Sequence, residues 1–200
     1  SKEMIEKELK IKFDKKIILV SYHPVTTISR EENIFQFKQV LDALKLYKNF
    51  NTIFTAPNID SGNSDILSMI KKHIIKNKNS YFFKSLGQKL FFSVAKNSNI
   101  FIGNSSSGIL EVPFLNIPVL NIGNRQKGRF QFVKIFNSSP KKEIIIKNIN
   151  RILKEKINFL PFDSNLIKNA SYIITKNIIR KLKNKECTYM NSKIFNDLKF

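Results

Sequence analysis

The stretch Ile100-Phe101-Ile102-Gly103-Asn104-Ser105-Ser106-Ser107-Gly108-Ile109-Leu110-Glu111 decides how this chain reads, because it runs from an apolar segment through a turn of small residues into a helix-forming segment. Strand, loop and helix start follow in that order. A Ser/Gly loop that opens a helix leaves backbone N–H groups unpaired and points the positive end of the helix dipole at one spot, an arrangement that suits a phosphate or diphosphate. Glu111 is expected in the first helical turn, where its carboxylate can accept hydrogen bonds from sugar hydroxyls. The same composition also fits an ordinary Ser-capped turn with a Glu complementing the dipole. No Gly-Lys-Ser/Thr follows, so the segment is not a P-loop.

Upstream of this stretch, Lys16–Tyr22 is a continuous apolar strand that ends at His23-Pro24-Val25-Thr26-Thr27, where Pro24 stops it. Ser29-Arg30-Glu31-Glu32 is a capping box, and Ile34, Phe37, Leu41, Leu44 and Leu46 recur behind it at helical spacing. A second strand at 52–56 breaks at Pro57 and leads into the loop Asn58-Ile59-Asp60-Ser61-Gly62-Asn63. A helix follows from about Ser64 with Ile66, Ile70 and Ile74 on one face, and His73 reads as a surface or boundary residue of it. A short strand at 80–83 then leads through Ser85-Leu86-Gly87-Gln88 to a helix containing Phe91, Phe92, Val94 and Ala95.

Downstream, 118–122 is a strand followed by the polar loop Gly123–Arg129. A last strand is expected over 130–135, a helix over 140–154, and another over 169–182 with Ile173, Ile174, Ile178 and Ile179. Residues 1–16 read as a linker with a short lead-in helix outside the core, 17–182 as one domain, and 183–200 as a basic tail. Strands alternating with helices at this spacing predict an α/β fold with a doubly wound parallel sheet, since parallel neighbours need a crossover. In such a sheet His23, Asn58, Asp60, Leu86, Ser105, Ser106, Glu111 and Arg125 all follow strands and converge on one edge.

Composition narrows the function classes. The chain has 200 residues, 42% of them hydrophobic, enough for one well-buried domain. It lacks an apolar run that could cross a bilayer and a signal-peptide pattern, so the cytoplasm is the default compartment and no membrane contact is expected. The single cysteine, Cys187, stands away from both histidines, which leaves neither a disulfide framework nor a cysteine-based metal site. A net charge of +20 raises the question of nucleic acid. The charge is almost all Lys, spread from Lys2 to Lys199 and accompanied by much Asn, Ile and Phe, which marks a compositional bias and no nucleic-acid-binding motif.

Five motifs in order give the chain a family resemblance: His23-Pro24-Val25-Thr26-Thr27, Pro57-Asn58-Ile59-Asp60-Ser61-Gly62, Ser85-Leu86-Gly87-Gln88, Gly103-Asn104-Ser105-Ser106-Ser107-Gly108 and Asn121–Arg129. Together they resemble the C-terminal half of the UDP-N-acetylglucosamine 2-epimerase family, in particular its hydrolysing branch that feeds sialic and legionaminic acid synthesis. The resemblance covers about residues 1–135. It implies a Rossmann-like domain forming the C-terminal half of a two-domain GT-B-type fold. It also implies UDP binding by Ser105, Ser106 and Gly108 at the diphosphate, Glu111 at the ribose, Leu86 at the uracil, and Arg125 in the nucleotide-sugar site. His23 matches a catalytic position, and Asn58 and Asp60 face the sugar and diphosphate. No cofactor and no metal are implied.

The reaction that the resemblance implies removes the C2 proton of the amino sugar, expels UDP and adds water to release the 2-epimer. Most of the acid and base groups of that reaction come, in the family, from an N-terminal domain, which is expected here as a partner in cis or in trans. The start at Ser1 instead of Met points to processing or to a longer product. A homo-oligomer is compatible with the resemblance. Two other functions stay open on the sequence: a UDP or nucleotide-sugar binding module without turnover, and a basic nucleic-acid-binding protein. Whether the substrate is UDP-GlcNAc or a diacetamido-trideoxy relative is open too.

Overall fold

In the computed structural model, which describes residues 2–129, 131, 135–155 and 170–183, strands and helices alternate along the chain as the apolar runs predict. The strands are β1 (Lys16–Ser21), β2 (Phe50–Thr55), β3 (Ser80–Phe83), β4 (Ile100–Gly103), β5 (Val119–Ile122) and β6 (Phe136–Ser138). They form one sheet in the order β3-β2-β1-β4-β5-β6, and every neighbouring pair is parallel. The helices of the same unit are α1 (Lys2–Leu9), α2 (Arg30–Leu44), α3 (Asn63–Lys76), α4 (Gly87–Lys96), α5 (Ser107–Leu110) and α6 (Lys142–Lys154).

Both faces of the sheet are covered, which is why the strands read as unbroken apolar runs instead of alternating ones. Successive side chains point to opposite faces. Ile18 and Val20 of β1, Ile100 and Ile102 of β4, and Leu120 and Ile122 of β5 pack with Phe37, Val40, Leu41, Ile66, Ile70, Ile145 and Ile149 of α2, α3 and α6. Ile17 and Leu19, Phe101 and Val119 pack on the other face with Val94, Ala95 and Ile109 of α4 and α5. Ser29 caps α2 as the sequence predicts, its hydroxyl accepting from the Glu32 N–H at 3.1 Å. The Glu32 carboxylate does not close the capping box but accepts from Gln36 at 2.7 Å.

Several expectations are corrected. Residues 1–16 are not outside the core: Ile5, Leu9, Ile11 and Phe13 are buried in the cluster under α4 and β4. Their spacing already carried an apolar stripe, but only the sheet shows what covers it. His73 is 6% exposed, packed edge-on against Phe54 at 5.5 Å between ring centres, because α3 packs on the sheet with this face inward. Leu46 falls beyond the end of α2 and is 60% exposed. The last strand lies at Phe136–Ser138, after the predicted span; residues 130 and 132–134 of that span lie outside the described residues.

Residues 161–200 form a second unit. Its described part is α7 (Ala170–Lys183), where Ile173, Ile174, Ile178 and Ile179 are exposed. The expected tail from 184 onward lies outside the described residues.

Candidate functional site

The order of connections reverses between β1 and β4, and ligands of open parallel sheets bind outside the carboxyl ends of the strands at such a point. Ser21 of β1 pairs with Gly103 of β4, which pairs with Asn121 of β5, so these strand ends are level. The chain can turn here only because residue 103 is glycine. Its φ is +148°, and a Cβ would stand 1.9 Å from the Ser21 carbonyl oxygen.

Asn104, fully buried, follows at once and ties the strand ends together. Its Oδ1 accepts from the His23 N–H at 2.7 Å and its Nδ2 donates to the His23 carbonyl at 2.8 Å. Its own carbonyl accepts from Gln126 Nε2 at 2.7 Å and from Arg125 Nη1 at 3.2 Å. Arg125 also stands 4.0 Å from Asp60. His23 Nδ1 accepts from the Asn58 N–H at 2.9 Å. Burial, and then the Arg125 charge, push the His23 pKa down to about 4 against a smaller upward pull from Asp60. His23, Asn58, Asp60, Asn104 and Arg125 therefore form one cluster, which draws on the ends of β1, β2, β4 and β5.

The loop after Asn104 differs from the expected helix start. α5 is a single turn, Ser107–Leu110, and Pro113 opens the way to a 3-10 turn at Val112–Leu115. Glu111 thus ends α5 instead of sitting in its first turn, and the dipole of so short a helix is small. What the loop offers is its backbone. The Gly108 N–H is spent on the Ser105 carbonyl and the Ser107 N–H on Ser105 Oγ. The N–H groups of Ser105 and Ser106 have no partner among the described residues, so two adjacent donors are left free. Gly108 contributes packing: a Cβ there would lie 2.7 Å from the Phe101 ring and 3.2 Å from Val119.

Glu111 is exposed and lines a cavity of about 400 Å³ together with Leu86, Thr55, Lys84, Phe91 and Phe92. Leu86 and Glu111, assigned to the two ends of a nucleoside, thus share one hollow. Sequence reasoning does not single out the side chains of Asn104 and Gln126, although both stand within the quoted motifs. For Asn104 the available signal is an amide directly after an apolar strand; Gln126 stands four residues beyond β5 and carries no such signal. Among the described residues no cluster of three or more His, Cys, Asp or Glu could hold a metal, and no helix is long and apolar enough to cross a membrane.

Comparison with known proteins matches residues 1–172 to the model of a family described as UDP-N-acetylglucosamine 2-epimerase. The GDP/UDP-N,N'-diacetylbacillosamine 2-epimerase (hydrolyzing) of Campylobacter jejuni is 37% identical over 139 residues, which are 69% of this chain and 36% of that protein. Polysialic acid biosynthesis protein P7 of Escherichia coli is 33% identical over 192 residues, 90% of this chain and 48% of its own length. The chain thus spans less than half the length of these relatives. Among solved structures, UDP-GlcNAc 2-epimerase from Methanocaldococcus jannaschii matches with a TM-score of 0.64 at 17% identity, over 85% of this chain and 50% of that one. The doubly wound sheet is the fold of half of that protein, and with a family model matched over most of its length, this chain belongs to the UDP-N-acetylglucosamine 2-epimerase family.

Proposed function

We propose that the chain is the nucleotide-binding part of a hydrolysing UDP-N-acetylglucosamine 2-epimerase, which releases UDP and a 2-epimerised N-acetyl amino sugar. One observation carries the reading. The unpaired N–H groups of Ser105 and Ser106 lie on the loop that leads straight to the Leu86–Glu111 cavity, so one continuous segment offers diphosphate donors and a ribose acceptor. Arg125 supplies positive charge at the adjacent strand end, with Asp60 beside it.

In the proposed reaction a base removes the C2 proton and the bond from C1 to the diphosphate oxygen breaks, leaving a C1=C2 double bond. Water then adds its oxygen at C1 and a proton at C2 from the opposite face. Within this chain the backbone donors of Ser105 and Ser106 and the Arg125 guanidinium hold the departing diphosphate, where negative charge grows as the bond breaks. The acid and base come mainly from the part of the relatives' length that this chain does not span. Two relatives are named for UDP-N,N'-diacetylbacillosamine and one for UDP-N-acetylglucosamine; both sugars carry the UDP and the C2 acetamido group that the reaction needs. The setting is the cytoplasm, where nucleotide-sugars are made, with the product directed to sialic acid-type synthesis.

Calorimetry with UDP tests the reading. Glu111→Ala is expected to weaken binding by about 1.5–3 kcal/mol, the worth of hydrogen bonds to a charged acceptor. Unchanged affinity in a folded variant removes Glu111 from the site.

A further inference from the structure

We propose that the fold holds His23 as a neutral imidazole with its proton on Nε2, so that it serves the site by donating a hydrogen bond and not by moving a proton. The assignment of this state stands on geometry. The Asn58 backbone N–H points at Nδ1 from 2.9 Å, and a backbone amide can only donate. Nδ1 must therefore present its lone pair, and the ring's one proton is left on Nε2. A cationic ring, or the opposite tautomer, would set an N–H against the Asn58 N–H and lose that bond.

The rest of the surroundings points the same way. His23 is 6% exposed, and its backbone is fixed at both its N–H and its carbonyl by Asn104, which holds the Cα that carries the ring in place beside Asn58. The charged groups that face it are Arg125 from the loop after β5, which opposes a second proton, and Asp60 from the loop after β2, which favours one. Asp60 is itself engaged by Arg125 at 4.0 Å. On the other ring nitrogen, Ser21 Oγ lies 3.5 Å from Nε2, at the far limit of a hydrogen bond. The Nε2–H is thus only weakly satisfied by the protein.

A neutral imidazole of this kind can polarise or steady an oxygen that gains charge, without being acid or base. The consequence for the reaction rests on the function proposed above. His23 neither takes the C2 proton nor protonates the diphosphate; it donates to an oxygen of the bound nucleotide-sugar, and Asn58 is a positioning residue that acts through its main chain.

The chain has two histidines, so long-range proton–nitrogen correlation on the ¹⁵N-labelled chain resolves both rings, with a His23→Gln sample identifying His23. The expected pattern is an unprotonated Nδ1 and a protonated Nε2 that persist from about pH 8 to about pH 5.5. A proton on Nδ1, or titration near the usual value of about 6.5, overturns the proposal. In the full-length protein, His23→Ala is expected to lose roughly 10- to 100-fold in kcat, the worth of one hydrogen bond to a charged oxygen. His23→Gln, whose side-chain amide can still donate, is expected to recover most of that loss. A Gln variant as inactive as the Ala variant overturns the donor role. Absence of UDP release by the unaltered full-length protein would instead sink the functional reading and leave the ring's state to the nitrogen spectrum.

Discussion

Asn104 carries more of the site's geometry than any residue that would touch a ligand. Its side chain satisfies both main-chain groups of His23 across 81 positions of sequence, in a place closed to water. Asn104→Ala leaves that N–H and that carbonyl buried and unpaired, each costing about 1–3 kcal/mol. The expected result is a loss of about 2–5 kcal/mol in urea unfolding, a large share of the roughly 5–15 kcal/mol that holds an ordinary domain together. The two histidines set the pH dependence. Burial is the largest cause in holding each near a pKa of about 4, with Arg125 adding to it at His23 and Lys45 at His73. Their folded values lie below the unfolded one of about 6.5, so the unfolded chain takes up protons first as pH falls. Stability should be flat above about pH 7 and should fall between about 6.5 and 4, by on the order of 3–5 kcal/mol for both rings together. Urea midpoints that stay level from pH 7 to pH 5 would show that neither ring is held neutral.

Among the elements, α5 is the one whose position matters most, because a single helical turn carries the loop with the free N–H groups to Glu111. So short a turn has little stability of its own and depends on being pressed against the sheet. Gly108 makes that contact, with the Phe101 ring and Val119 too close to admit a side chain. Gly108→Ala should push α5 off the sheet and cost about 1–3 kcal/mol of stability. UDP affinity should fall as well, although Gly108 has no free group to offer a ligand. Crystallography or calorimetry that finds UDP bound as before to the variant would separate the packing of α5 from the site. The extent of α5 was not legible in the sequence. Ser107–Leu115 has the composition of a longer helix, and Pro113, at the start of the 3-10 turn, is compatible both with a break there and with a new helical start.

For the whole molecule, the proposed division of labour predicts that the chain alone binds UDP yet releases none from UDP-N-acetylglucosamine above background. Asp60 is the remaining carboxylate in the His23 cluster, and it faces Arg125. An elimination needs groups within hydrogen-bond reach of both C2 and the leaving oxygen. Turnover at a rate on the order of 1 per second or more by residues 1–200 would place the acid and the base within this chain. The order of strands and helices, the doubly wound sheet, and the position of His23, Ser105 and Arg125 just after strands were determined by the sequence itself. The reason is that apolar runs, Pro24, Pro57 and the Ser/Gly turn act on their immediate neighbours, and parallel strands leave little freedom for where their ends fall. Tertiary structure alone decided the burial of Ile5, Leu9, Ile11, Phe13 and His73, the clamp of Asn104 on His23, and the tautomer that Asn58 imposes. A periodic pattern shows that a face is apolar but not what covers it, and a hydrogen bond between residues 35 or 81 positions apart exists only once the sheet has brought their strand ends level.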